Sequence, residues 1–328
     1  MSYSNRLAYP DICKFIAIFV VTCSHCAQVV SGETWNNFWG GTELDMAFNM
    51  PLFMMMSGWF IDLETLQKTN SFNYIVNKFK RLILPAISWQ VVYILVVSKA
   101  IPDPFSAAWL YWYLSALFLC LCIIMFSAKF IKNVWLCITL STICVIILPF
   151  SNFVDINFMF PYLWAGYLLR KLFDKEYAKY WVLLFSIVGV CLSIFWKIEY
   201  TVYITPFKSL YLNSFMIYAY LYRFTIGFCL SASIIYLVKL SENTKALRWM
   251  TEYGKYTLLI YAISPIMNSI FARLLETFDF HTNDYIMIDI TALILSCMIC
   301  VTSIFVYKAF CRNEYLSLFF LGEFIKTK

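Results

Sequence analysis

From Ile12 to Tyr307 the chain is a succession of apolar runs, most of them long enough to cross the roughly 30 Å of a bilayer's hydrocarbon core. In lipid every backbone polar group must find its partner inside the protein, so runs of this length become helices. The fold class this predicts is all-α. Bounded by charged or turn residues, the runs predict ten helices, at about 12–30, 44–61, 82–98, 106–127, 134–150, 157–169, 180–196, 212–238, 256–275 and 285–307. The reading is a polytopic integral membrane protein, residues 1–328 forming a single transmembrane domain with no soluble domain appended. The run at 157–169 is short for a full crossing and predicts a segment that is tilted, interfacial or supported by its neighbours.

Composition excludes the alternatives. Apolar residues make up 62% of the chain and charged residues 13%, against about 45–50% and about 25% in a soluble domain. Nine glycines and nine prolines are too few for a disordered or collagen-like chain. The first run follows Arg6, continues through His25 to Val30 and lacks a small-x-small cleavage site, so it reads as an uncleaved span. The twelve cysteines are scattered mainly through apolar runs, where thiols behave as small hydrophobes, and predict free cysteine.

The formal charge of +6 would suggest nucleic acid in a soluble chain; here its distribution sets orientation and no nucleic-acid partner is expected. With the amino terminus in the cytoplasm, Arg6, Lys68, Lys78, Lys80, Arg81, Lys129, Lys132, Arg170 and Lys171 all fall inside, with most other cations. Lys99, Lys197, Lys208 and Arg273 fall outside, where the connections carry Glu33, Glu43, Asp45, Asp103 and Asp155. This asymmetry predicts two cytoplasmic termini. No internal repeat is visible, which weakens a transporter built from duplicated halves.

Ionisable groups within spans are costly unless they face a partner or a wet cavity. Lys14 and His25 are eleven residues apart on the first helix, about 1,100° of rotation, hence on nearly one face and roughly 17 Å apart along the axis. Asp11 extends that stripe towards the cytoplasmic interface. His25 is the histidine that falls in a predicted span, and imidazole suits proton removal near neutral pH, which makes it the candidate general base. The competing readings are a histidine tied to a neighbouring helix or facing headgroups, and an Asp11/Lys14 pair of ordinary interfacial charges. On the second helix, Pro51 frees backbone carbonyls and Gly58 admits a close neighbour or ligand, so Ser57 could present a hydroxyl to a cavity; a kinked packing helix is the alternative. Lys78, Lys80 and Arg81 stand at the mouth of the third span, either as topology signals or as a phosphate clamp. Arg223, deep in the eighth run, calls for a carboxylate, phosphate or carbonyl partner. His281 and Asp284 read as solvated loop residues. The pairs Cys23/Cys26 and Cys297/Cys300 have metal-ligand spacing but lie within apolar helices, where packing is the better reading, so no metal is expected. No G-x-S-x-G or phosphate-loop motif is present.

Arg6, the run Asp11-Ile12-Cys13-Lys14, His25, the FNMPLFMMMSGW segment, the KRLILP segment, WYLSALF at 112–118 and YGKYTLLIY at 253–261 together resemble, in order and spacing, the membrane acyltransferase 3 family. The resemblance covers at least residues 6–261. It implies a ten-helix bundle of the bacterial inner membrane that moves an acyl group, usually acetyl from acetyl-CoA, to a hydroxyl of a surface polysaccharide such as O-antigen or its lipid-linked precursor. On that resemblance His25, Asp11 and Ser57 form the catalytic set and Lys14, Lys80 and Arg81 bind the donor; Arg223, singled out by its place inside a span, is added to the donor set. Acetyl-CoA enters as co-substrate; the other partners implied are the glycan acceptor and membrane lipids, and a homo-oligomer is compatible with the sequence. The family often carries histidine where Asn49 and Ser264 stand here, and neither of these can act as a base.

In the implied reaction CoA enters from the cytoplasm with its phosphates on Lys80 and Arg81, and His25 takes the acceptor's hydroxyl proton while Arg223 or Ser57 stabilises the oxyanion. An acyl-enzyme on His25 or Ser57 is the other chemical route. Two rivals use the same residues differently: a transporter or flippase of a lipid-linked saccharide, and a membrane scaffold in which His25 and Arg223 are structural.

Overall fold

A segment surrounded by lipid has no water to complete its backbone hydrogen bonds, and a helix satisfies them internally. The computed structural model describes residues 7–32, 44–98, 110–147, 155–201, 207–208, 212–280, 282 and 284–325, and every regular element among these is helical. In chain order they are α1 (Tyr9–Ser31), α2 (Asp45–Trp59), α3 (Leu63–Lys68), α4 (Ser71–Val97), α5 (Trp112–Phe130), α6 (Val134–Ile147), α7 (Ile156–Phe173), α8 (Ala178–Ser193), α9 (Ser214–Ser241), α10 (Lys245–Thr277) and α11 (Tyr285–Phe310). After α11 a single turn, Glu314–Leu316, runs into a π-helical turn, Ser317–Leu321.

Six of these helices, α1, α4, α5, α9, α10 and α11, are long and apolar enough to cross a membrane, and the chain is a multi-pass membrane protein. Each of the other predicted runs also carries a helix, but α2, α6 and α8 have 15, 14 and 16 residues. The run expected to stop at 169 continues to Phe173 through Arg170 and Lys171. Residues 106–109 and 148–150 of the predicted runs, with Arg6, Lys99 and His281, lie outside the described residues.

Two helices start earlier than apolarity suggests. In α4 the Asn70 side chain caps the start by accepting from the Asn73 N–H at 3.1 Å, and no helix breaker intervenes before Pro85. Lys78, Lys80 and Arg81 therefore lie within a continuous helix that begins before them. α10 begins with the amphipathic stretch Lys245–Tyr253, which a 3₁₀ turn, Gly254–Tyr256, joins to the apolar part.

The chain divides into two compact units, and the boundaries cut through α1, α7 and α10. The first comprises Met1–Val21, Thr42–Ile61 and Phe158–Thr257. Its core includes Met54, Met55 and Met56 of α2, all without solvent exposure. α2 and α7 meet backbone to backbone: a Cβ on Gly58 would stand 1.8 Å from the Leu163 carbonyl oxygen, and one on Gly166 would stand 1.9 Å from that of Met55. Pro51 has no N–H to give to the Ala47 carbonyl one turn earlier. At that carbonyl α9 comes closest, since a Cβ on Gly227 would lie 2.7 Å from the Ala47 oxygen and 3.0 Å from Pro51 Cγ. The Ser231 hydroxyl, one turn further along α9, donates to the Phe48 carbonyl at 3.3 Å.

The second unit comprises Thr22–Gly41, Asp62–Asn157 and Leu258–Lys328. Within α4 the residues Phe79–Ile83 wind as a π-helix, in which the Leu84 N–H reaches back to the Phe79 carbonyl. Pro85 follows and withholds the N–H that would bond the Arg81 carbonyl in an α-helix. The π turn Ser317–Leu321 packs on this stretch; the Trp89 indole N–H donates to the Phe320 carbonyl at 3.0 Å, and the Trp89 ring lies 6.0 Å from Phe310 and 5.2 Å from Phe320. Elsewhere the Tyr111 hydroxyl donates to the Ala262 carbonyl at 2.9 Å, in the turn that Pro265 disturbs.

Candidate active site

The seven residues singled out from sequence divide between the units: Asp11, Lys14, Ser57 and Arg223 in the first, His25, Lys80 and Arg81 in the second. Each set is built by its own unit's helices.

In the first unit Asp11 is buried at the start of α1. A Cβ on Gly254 would stand 2.4 Å from Asp11 Cβ and 2.6 Å from its carbonyl oxygen, so the glycine of the YGKYTLLIY stretch lets the chain lie against Asp11. The preceding turn is fixed by the Tyr9 N–H, which donates to Glu242 Oε2 at 2.9 Å. Lys14, half-buried, holds its Nζ 5.0 Å from the centre of the Phe60 ring. Ser57 is half-buried and its hydroxyl donates to the Phe53 carbonyl at 3.0 Å, one turn back in its own helix. The approach that Gly58 permits is taken by the α7 backbone.

Arg223 is 2% exposed, with its guanidinium carbon 4.4 Å from the centre of the Phe158 ring. A cation set over a ring face in a dry site is attracted by the ring quadrupole. The Tyr162 hydroxyl donates to the Arg223 carbonyl at 3.0 Å, and Phe158 packs against both Tyr162 and Tyr220 at ring distances of 5.1 and 6.1 Å. Phe158 thus covers one face of the guanidinium, with Tyr162 of α7 and Tyr220 of α9 packed around that ring.

In the second unit the His25 side chain keeps solvent-accessible surface within a stretch of α1 whose other residues are mostly buried. Its neighbours Ser24 and Cys26 are buried, as are Ile18, Val21 and Thr22 one and two turns back on its own face, so the accessible surface is local to the ring, with half-buried Gln28 beside it. His25 Nδ1 lies 3.3 Å from Gln28 Oε1; in the tautomer that makes this a hydrogen bond, Nδ1 donates and Nε2 keeps the lone pair. On the buried side Cys26 Sγ donates to Asn268 Oδ1 at 3.4 Å, and Asn268 Nδ2 donates to the Ser264 hydroxyl at 3.4 Å. Lys80 and Arg81 are exposed on the π turn of α4, with half-buried Lys78 beside them, its Nζ 5.3 Å from the centre of the Tyr74 ring. Phe79 on the same turn meets Phe118 of the WYLSALF stretch at 6.2 Å, and the Tyr113 N–H of that stretch donates to the Tyr261 hydroxyl at 3.4 Å.

Gln28 and Asn268 were not among the sequence candidates. Gln28 had a signal, three residues after His25 and so on one helix face; Asn268 was a polar residue inside an apolar run. Among the described residues no group of three or more His, Cys, Asp or Glu side chains is arranged to hold a metal ion. Much of the sequence pattern is packing: Gly58, Gly254, Phe118 and Tyr261 fit one helix to another. What that packing leaves outward are a histidine with an oriented ring and a turn bearing two adjacent cations.

Comparison with curated proteins and with solved structures gives no match. A family model described as an acyltransferase domain matches residues 7–307, a stretch that takes in α1 through nearly all of α11 and therefore every candidate residue above. On that match the chain belongs to the membrane acyltransferase 3 family.

Proposed function

We propose that the protein transfers an acetyl group from acetyl-CoA to a hydroxyl of a bacterial surface polysaccharide or of its lipid-linked precursor. The observation that carries the reading is the second unit's pairing of two chemistries: an exposed imidazole whose Nδ1 is engaged by Gln28, and exposed Lys80 and Arg81 side by side on one helical turn. Family membership supplies the acyltransferase class; the donor and the acceptor are what those residues suit. The guanidinium of Arg81 pairs with phosphate oxygens two at a time and Lys80 adds a compact second charge, which fits the phosphates of CoA.

His25 Nε2 takes the proton of the acceptor hydroxyl as that oxygen attacks the thioester carbonyl; the C–S bond breaks and the CoA thiolate leaves. Ser57 and Arg223, the sequence's oxyanion candidates, belong to the first unit, where Ser57 is half-buried and Arg223 buried. Asp11 orients the cytoplasmic end of α1. In this proposal α2, α6, α7 and α8 complete a set of ten crossings in the inner membrane, both termini are cytoplasmic, and the whole chain works as one acyltransferase module.

Purified protein in detergent, given acetyl-CoA with and without glycan acceptor, is expected to release CoA thiol only when acceptor is present, and His25→Ala to abolish that release while keeping the melting temperature. Glycan movement without thioester consumption would instead identify a transporter. Release by His25→Ala at the normal rate would remove the base assignment.

A further inference from the structure

We infer that the segment Asn313–Gly322 is a brace for the donor-binding turn of α4, and that Gly322 and Trp89 govern donor binding through Arg81 without touching the donor. The inference rests on the proposed role of Arg81. It starts from a property of exposed cations: Lys80 and Arg81 keep much of their side-chain surface free, so where they point depends strongly on the backbone they hang from.

That backbone has two windings available. Pro85 cannot complete the α-helical bond to the Arg81 carbonyl, and the chain accommodates this with the π turn Phe79–Ile83. Rewinding these residues would swing both cations around the helix axis. The brace sits on the residue where the winding is decided. Gly322 has φ +69°, in the left-handed region, and a Cβ there would meet the Arg81 carbonyl oxygen at 2.7 Å, its Cα at 2.8 Å and its carbonyl carbon at 3.0 Å. No other residue type can hold that conformation against that backbone without moving it.

The brace is itself stiff and tied down. The Asn313 side chain accepts from the N–H groups of Tyr315 and Leu316. The buried Ser317 hydroxyl donates to the Glu314 carbonyl at 2.9 Å and accepts from the Ile325 N–H at 3.3 Å. The Phe320 carbonyl is held by the indole N–H of Trp89, which lies one helical turn beyond Pro85 on α4. Both ends of the irregular stretch are thus fastened to one small element that carries none of the candidate catalytic residues.

The test uses the full chain in detergent, with CoA as the titrated ligand and acetyl-CoA turnover as the second readout, for Arg81→Ala, Gly322→Val, Trp89→Phe and the Arg81→Ala/Gly322→Val double variant. The expected result is CoA binding weakened about tenfold by Arg81→Ala, and about three- to tenfold by Gly322→Val and by Trp89→Phe. KM for acetyl-CoA rises in step and kcat stays within about twofold. The double variant binds as Arg81→Ala does, because Gly322 acts only through Arg81. Normal CoA binding by folded Gly322→Val and Trp89→Phe, beside a weakened Arg81→Ala, overturns the brace and leaves the donor site standing. So does full additivity in the double variant. Trp89→Phe keeps the ring stack and decides the matter if Gly322→Val does not fold. A wild-type chain that binds no CoA, or an Arg81→Ala variant that binds it normally, overturns the donor reading and the brace with it.

Discussion

Each unit contains a proline that withholds an N–H from the carbonyl four residues earlier, and a glycine from elsewhere in the chain that comes against that carbonyl. In the first unit the three residues are Pro51, Ala47 and Gly227; in the second they are Pro85, Arg81 and Gly322. The backbone device is shared and the outcome is opposite. Ala47 is fully buried, so the opened turn becomes a joint between α2 and α9. Arg81 is exposed, so the opened turn becomes a pedestal for a cation. The proline device thus leaves a buried side chain at one carbonyl and an exposed cation at the other. The same contrast divides the arginines: Arg223 is buried with its guanidinium over Phe158, whereas Arg81 is exposed.

The largest expected effect falls on the joint. Gly227→Val would drive a branched side chain into the Ala47 oxygen and also into the Tyr162 hydroxyl, which stands 2.6 Å from where a Cβ would sit. Overpacking costs about 1–3 kcal/mol where side chains can shift, and more where backbone must. The monodisperse peak of purified protein should disappear on gel filtration. A Gly227→Val variant that purifies and melts as the wild type does would show that the two glycines are equivalent after all.

Next in size is the pedestal's winding. Pro85→Ala returns an N–H to the Arg81 carbonyl and lets α4 wind regularly through the turn. KM for acetyl-CoA should rise about tenfold, equivalent to about 1.4 kcal/mol of binding, with little change in melting temperature. Pro51→Ala should do the reverse, shifting the melting temperature and leaving KM alone. If both prolines move the same observable, the distinction between joint and pedestal is lost.

The arginines sharpen the comparison through ionic strength. Exposed charges are screened over about 8–10 Å at 0.1–0.15 M salt, so KM for acetyl-CoA should climb with added salt and climb less steeply in Arg81→Ala. Arg223→Met should lower stability by about 2 kcal/mol, the scale of a desolvated cation over a ring, with no salt dependence of that loss.

How much of this could be read in advance depended on whether a residue's neighbours are near in sequence. The apolar runs put a helix at every predicted position, because the membrane requirement acts on each segment alone. They misplaced the starts of α4 and α10, where capping by Asn70 and an amphipathic lead-in extend the helix into polar residues. Family membership was legible because the FNMPLFMMMSGW and YGKYTLLIY segments preserve their order. Their physical meaning was not: the partner of Gly58 is Leu163 and that of Gly254 is Asp11, contacts that no local pattern announces. His25 was found as a histidine in an apolar run, but nothing in that run marks it as accessible while Ile18, Val21 and Thr22 on the same face are buried. Gly322 had no signal, since its reason is a carbonyl on another helix.

The smallest effect expected concerns two hydroxyls, one beside each proline–glycine contact. Ser231 Oγ donates to the Phe48 carbonyl at 3.3 Å, a long bond that links α9 to α2 across the joint. Ser317 Oγ works within the brace, donating to Glu314 and accepting from the Ile325 N–H. A single neutral hydrogen bond contributes about 0.5–1.5 kcal/mol net, and the Ser231 bond is near the weak end by its length. Ser231→Ala should therefore lower the melting temperature by a degree or two, at roughly 2–4 °C per kcal/mol for a chain of this size class, and leave KM for acetyl-CoA unchanged. Ser317→Ala removes a buried donor and an acceptor together, so it should cost a similar amount in stability but also raise KM about twofold, by loosening the segment that bears on Arg81. The diagnostic quantity is the ratio of the two KM values at matched melting temperature. Equal KM values would mean that the brace transmits nothing from its interior to the cation, and that only the direct Gly322 contact matters.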